Sequence, residues 1–234
     1  MILDVRAGEL RLEPVAPGEP LGLEATYDPG TFELEEHYDS GGDSGWEYRV
    51  VFRHSRFWRW DALRAALGGR SPLLRLRLPR GVPLVLEGRI LTVESALELG
   101  GLWVTSTDLE VGRGYNHFRF GEPLPAPMER FVVRGVNGAL RISSLGNASP
   151  RVAEVGQSRG RMTLDLHGAW TCDADVRASC RIGACTLLVS ENVRVESAQG
   201  LNLPGPPAEV ELPTVRLSVE SSLARLRIER NGAR

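Results

Sequence analysis

Val136-Asn137-Gly138-Ala139-Leu140-Arg141-Ile142, Ser158-Arg159-Gly160-Arg161-Met162-Thr163-Leu164 and Arg181-Ile182-Gly183-Ala184-Cys185-Thr186-Leu187 are three copies of one pattern. The glycines are 22 and 23 residues apart. Two residues after each comes Leu140, Met162 or Cys185, and four after comes Ile142, Leu164 or Leu187. Upstream, Val133, Val155 and Ala178 align, as do Phe131, Ala153 and Val176; six residues on, the match weakens to Ser144, Leu166 and Val189. Period-two alternation inside a repeat of this length predicts stacked β-strand rungs, none of which buries its apolar face alone.

Outward from this block the pattern becomes less regular. Leu74, Leu76 and Leu78, then Leu84 and Leu86, Leu97 and Leu99, and Phe118 and Phe120 read as earlier rungs. Residues 215–219 and 223–228 read as a final hairpin. The first third, with alternating stretches at 8–15, 21–27, 32–38 and 46–52, reads as antiparallel strands joined by turns such as Asp28-Pro29-Gly30. Phe57, Trp60, Leu63 and Leu67 put one apolar face on a helix over residues 56–67, which Gly68-Gly69 stop. The Pro-rich run 122–127 is a surface loop. The expected architecture is one all-β domain over residues 1–234. It is a single-stranded β-solenoid with N-terminal antiparallel strands and one short capping helix, residues 1–72 forming the cap and 73–230 the rungs. Caps are needed because open strand edges invite aggregation.

Composition narrows the chemistry. With 28 basic and 30 acidic residues the net charge is −2, which offers no overall footprint for nucleic acid or an anionic membrane. Every strong base is arginine, in keeping with GC-rich coding, so no lysine is available as Schiff base, general base or phosphate clamp. No window approaches the run of about 20 apolar residues that a spanning helix needs. The opening Met1-Ile2-Leu3-Asp4-Val5-Arg6 has no signal-peptide pattern. As written the chain reads as soluble, hence cytoplasmic unless an anchor is missing from it.

Cys172, Cys180 and Cys185 fit no zinc spacing. Cys185 shares the inward column of Leu140 and Met162, and a bridge from Cys180 to Cys185 is left open. The loop at 39–45 has two acids but lacks an EF-hand's spaced ligands and closing glutamate. Carbohydrate chemistry on a β-helix needs converging carboxylates. The outward columns read Ser143, Asp165, Leu188 and Arg141, Thr163, Thr186, with no two acids stacked. Asp165 reads as a solvated strand residue paired with an arginine, and neither His117 nor His167 has a triad-like partner in sequence. No catalytic, metal-binding or cofactor-binding residue is expected.

The runs Val132-Val133-Arg134-Gly135-Val136-Asn137-Gly138-Ala139-Leu140-Arg141-Ile142 and Gly160-Arg161-Met162-Thr163-Leu164-Asp165-Leu166-His167-Gly168 resemble the bacterial toast-rack proteins. That family includes the "putative adhesin" domains and the C-terminal domains of membrane-bound regulators of the cell-wall-antibiotic response. Its motif pairs glycines as glycine-x-glycine; here Val136, Ser158 and Arg181 stand where the first glycine belongs, so the corners must turn differently. The resemblance implies a non-enzymatic interaction or scaffold module tied to the bacterial envelope or its stress response. Its partner would be another protein or an envelope component, with no nucleic acid and no cofactor. Two rivals stay open: a β-helical carbohydrate-active enzyme and a soluble ligand-binding sensor. The expected contact surface is Arg56, Trp58 and Arg59, while Phe57 and Trp60 of the same segment cover the end of the stack.

Overall fold

The structure is a computed structural model that describes residues 1–41, 45–55, 71–91, 94–197 and 211–230. The helix expected over 56–67 lies outside them. Among the described residues the chain is all-β, with one 3-10 turn at Leu145–Asn147. Its fifteen strands form one curled, open sheet. In chain order they are β1 (Ile2–Val5), β2 (Glu9–Val15), β3 (Gly22–Thr26), β4 (Phe32–Asp39), β5 (Glu47–His54), β6 (Leu73–Pro79), β7 (Leu84–Ile90) and β8 (Glu94–Glu98). Then come β9 (Val104–Val111), β10 (Tyr115–Arg119), β11 (Arg130–Ser143), β12 (Val152–Asp165), β13 (Ala174–Val189), β14 (Arg194–Ser197) and β15 (Thr214–Arg230).

The sheet folds into two wings along a line of corners. β11 shows how: its first half pairs with β9, its second half with β10, and all of it with β12. One wing runs β4-β5-β1-β7-β9 into the first halves of β11, β12, β13 and β15, and then to β14. The other runs β3-β6-β2-β8-β10 into their second halves. The repeat register is the one read from the sequence. Gly138 lies opposite Gly160, which lies opposite Gly183, with Leu140, Met162 and Cys185 level, and Ile142, Leu164 and Leu187 level. All six of those side chains are buried. The inner faces of the two wings meet: Phe131 of one packs edge-on against Phe118 and Phe120 of the other at 6.1 and 5.7 Å. Tyr27 and Phe52 do the same at 5.5 Å near the other end.

In β11, β12 and β13 the corner turns on one glycine. Gly138, Gly160 and Gly183 have φ of 106°, 115° and 127°, a region L side chains rarely enter. A Cβ on Gly160 would lie 1.9 Å from the carbonyl oxygen of Gly138, and one on Gly183 equally close to that of Gly160. Val136, Ser158 and Arg181, where the family motif has its first glycine, need no positive φ and send their side chains outward. The segments returning from one wing to the next rung also stack. Asn147 ties three of them together, donating to the Phe120 carbonyl at 2.8 Å and accepting from the Ala169 amide at 3.0 Å. The Pro-rich loop lies on this return side, its Leu124 amide donating to the Asn147 carbonyl.

Three expectations change. Only β3 and β4 pair antiparallel, with β6 and β5; β1 and β2 are parallel strands inside the stack, flanked by β5 and β7 and by β6 and β8. The end of the chain is no hairpin: β15 is one long strand bent at the corner, parallel to β13 throughout. There Ala224 takes the register place of Gly183 without a positive φ, and the strand beyond it is poorly buried. Acid pairs do stack outside the repeat block: Glu87 lies opposite Asp108, and Glu9 opposite Glu94.

Candidate functional site

The corner that carries the glycines also brings several arginines together. Over β11, β12, β13 and β15 it reads Val136-Asn137-Gly138-Ala139, Ser158-Arg159-Gly160-Arg161, Arg181-Ile182-Gly183-Ala184 and Ser221-Ser222-Leu223-Ala224-Arg225. These segments hold four arginines and no acid. None of Arg159, Arg161, Arg181 and Arg225 has an ion pair among the described residues. Elsewhere many acids are held by arginines: Arg134 holds Asp108 at 2.7 Å, Arg80 holds Glu122 at 2.7 Å, Arg11 holds Glu9 at 2.7 Å, and Arg53 bridges Glu33 and Glu35. Arg113, Arg141, Arg151, Arg177 and Arg194 also have no ion pair among the described residues, but they are spread over the molecule.

The same corner exposes apolar surface. Val136 is 46% exposed, Ile182 37%, Leu223 79%, and Tyr115, at the start of β10, 45%. Four of the seven large apolar side chains exposed among the described residues thus share one ridge with four unpaired guanidiniums. Rungs about 4.8 Å apart make this ridge roughly 20 Å long. At its margin, Arg181, Ser158, Ser179, Ser222 and Glu220 line a shallow depression of about 360 Å³. Toward β2 and β8 the character reverses, where Arg113 shares a depression with Glu9 and Glu94.

No protein-family model matches the chain, and no curated protein does. A solved structure of a "putative cell adhesion protein" from Clostridium sporogenes ATCC 15579 is similar to it. It covers 98% of this chain and 91% of its own, at 11% identity and a TM-score of 0.41.

Arg56, Trp58 and Arg59, the contact residues expected from the sequence, lie outside the described residues. The arginine corner was not singled out, although its signal was present. Arginine lies within two residues of a repeat glycine at Arg159, Arg161 and Arg181. Among the described residues no three His, Cys, Asp or Glu side chains converge as a metal site would require. No helix there is long and apolar enough to cross a membrane.

Both histidines near the repeat find partners, His117 across rungs and His167 within its own turn. His117 Nε2 lies 2.9 Å from Ser143 Oγ, which also accepts from Arg141 Nε at 3.2 Å. Burial, then Arg141 and Arg119, hold this imidazole below the usual histidine range. Asp165 pairs not with an arginine but with His167, Nδ1 to Oδ1 at 2.5 Å, and its carboxylate also accepts from the His167 amide at 2.9 Å. That makes Asp165 the tie of a turn. Glu13, Glu98, His117 and Arg119 line a small depression of about 230 Å³.

The three cysteines are free thiols. Cys180 and Cys185 are buried on either side of the corner, where the contact with Cys185 and then burial push the Cys180 thiol up. In the native protein Cys180 is therefore expected to react with a thiol reagent at least about tenfold more slowly than in urea, whereas half-buried Cys172 reacts first. Mass spectrometry of timed alkylation checks the order.

Proposed function

We propose that the curled sheet is a β-solenoid of the toast-rack type that serves as a non-catalytic interaction or scaffold module at the bacterial cell envelope, in its stress response. What carries the reading is one corner of the sheet. There four arginines without an ion pair among the described residues stand beside four exposed apolar side chains, while many acids elsewhere are matched by arginines on the same or neighbouring strands. A contact surface needs that combination of exposed apolar groups and unpaired arginine. A hydrolase instead needs two carboxylates aimed at one bond within an enclosing cleft. Among the described residues, an arrangement favouring the enzyme is Glu13 and Glu98 beside His117, in a depression on an open sheet face.

The test mixes the chain with a crude envelope preparation containing membranes and sacculi. The protein is expected to sediment with the envelope and to release no reducing ends. Protein left in the supernatant sinks the envelope reading. Reducing ends that appear with the parent and vanish with Glu98→Gln establish the enzyme instead.

A further inference from the structure

We infer that the arginine corner is a docking surface for an anionic lipid bilayer. The inference rests on the interaction-module reading above and names the envelope component that the module meets. Its first support is charge complementarity. Arg159, Arg161, Arg181 and Arg225 lie on three neighbouring strands, β12, β13 and β15, with no acid in those corner segments and no ion pair among the described residues. A guanidinium binds phosphate oxygens through a planar fork, and such a row faces a plane of lipid phosphates without rearrangement.

Shape and apolar content point the same way. The ridge is the outside of a bend in the sheet, and its exposed side chains lie on successive rungs, so a plane of headgroups can meet several of them at once. Leu223, Val136, Ile182 and Tyr115 are interleaved with the arginines. In water those side chains are a liability; at a headgroup layer they enter the acyl boundary while the guanidiniums stay among the phosphates. A soluble acidic peptide would seek a concavity, and the one bordering the ridge, lined by Arg181 and Ser222, also holds the carboxylate of Glu220. The chain's net charge of −2 hides the feature because it sums 28 basic and 30 acidic residues over the whole molecule.

Each arginine near an anionic surface is worth roughly a fivefold gain in partitioning, and salt screens it. The experiment sediments the whole chain with vesicles of phosphatidylcholine alone and of phosphatidylcholine with one-third phosphatidylglycerol. The anionic vesicles are expected to bind at least about tenfold more protein, and a tenfold rise in salt to release it. The pair Arg159→Ala and Arg181→Ala is expected to weaken binding about twentyfold with unchanged melting, since neither side chain has an ion pair to lose. Leu223→Ser should weaken it severalfold, and Arg89→Ala, on one wing beside Glu110, not at all. If a variant melts early, Arg161→Ala replaces it. Equal binding to both lipids, or a double variant that binds like the parent, overturns the inference. So does binding to a soluble polyglutamate peptide with none to vesicles, which would assign the corner to an acidic protein. Sedimentation with crude envelope but with neither vesicle type leaves the interaction module standing and removes only the lipid.

Discussion

Gly160→Ala is expected to cost about 4 kcal/mol or more, a large share of what a domain this size has. Two effects add. The residue sits at φ 115°, where an L side chain is strained by about 1–3 kcal/mol. The new Cβ would also lie 1.9 Å from the Gly138 carbonyl oxygen, well inside any real contact. Relief requires neighbouring rungs to part, and the cross-strand hydrogen bonds on both sides of the corner oppose that. Gly18→Ala separates the two terms: its φ is 89° but nothing lies within 4 Å of its Cβ, so only about 1–2 kcal/mol of strain remains. Urea unfolding of both variants checks the difference. Equal midpoints would mean that the rung corners are not tightly packed.

Phe131→Ala is expected to destabilise by about 3–5 kcal/mol with the strand content retained. Phe131 is fully buried on one wing and meets the rings of Phe118 and Phe120 on the other. In the next rung its column position is Ala153, which leaves the volume the ring occupies. Truncation would open a cavity between the wings that β11, held on both sides by the parallel strands β9 and β12, cannot collapse to fill. Denaturant unfolding with circular dichroism reads both quantities. A loss below about 1 kcal/mol would show that the wings do not share a tight core.

Much of the inward architecture was legible because two periods act together. Alternation of two fixes which side of a strand is buried, and the 22- to 23-residue repeat fixes which residues lie level. Hence Leu140, Met162 and Cys185 are stacked and buried as their spacing says. The placement of β1 and β2 was not legible. Ile2 lies between Arg49 and Glu87, partners 47 and 85 residues away, and parallel pairing leaves no local turn to mark it. Glu220-Ser221-Ser222 looks like a hairpin turn by composition, yet β13 alongside holds it in the same bend as the glycine corners. Asp165 looked like an arginine's partner, but its side chain folds back to His167 and the turn.

The corner surface shows the same division. Arginines at Arg159, Arg161, Arg181 and Arg225 are scattered along the sequence among as many acids, and the net charge averages them away. By itself the sequence determined which side chains face inward and which residues lie level in the repeat block, because backbone pleating and apolar burial are read residue by residue. Only the tertiary structure decided the order of the first rungs, the partners of the histidines and the meeting of Arg159, Arg161, Arg181 and Arg225 at one corner. Those depend on which distant strands become neighbours, and stacking energy summed over whole rungs makes that choice.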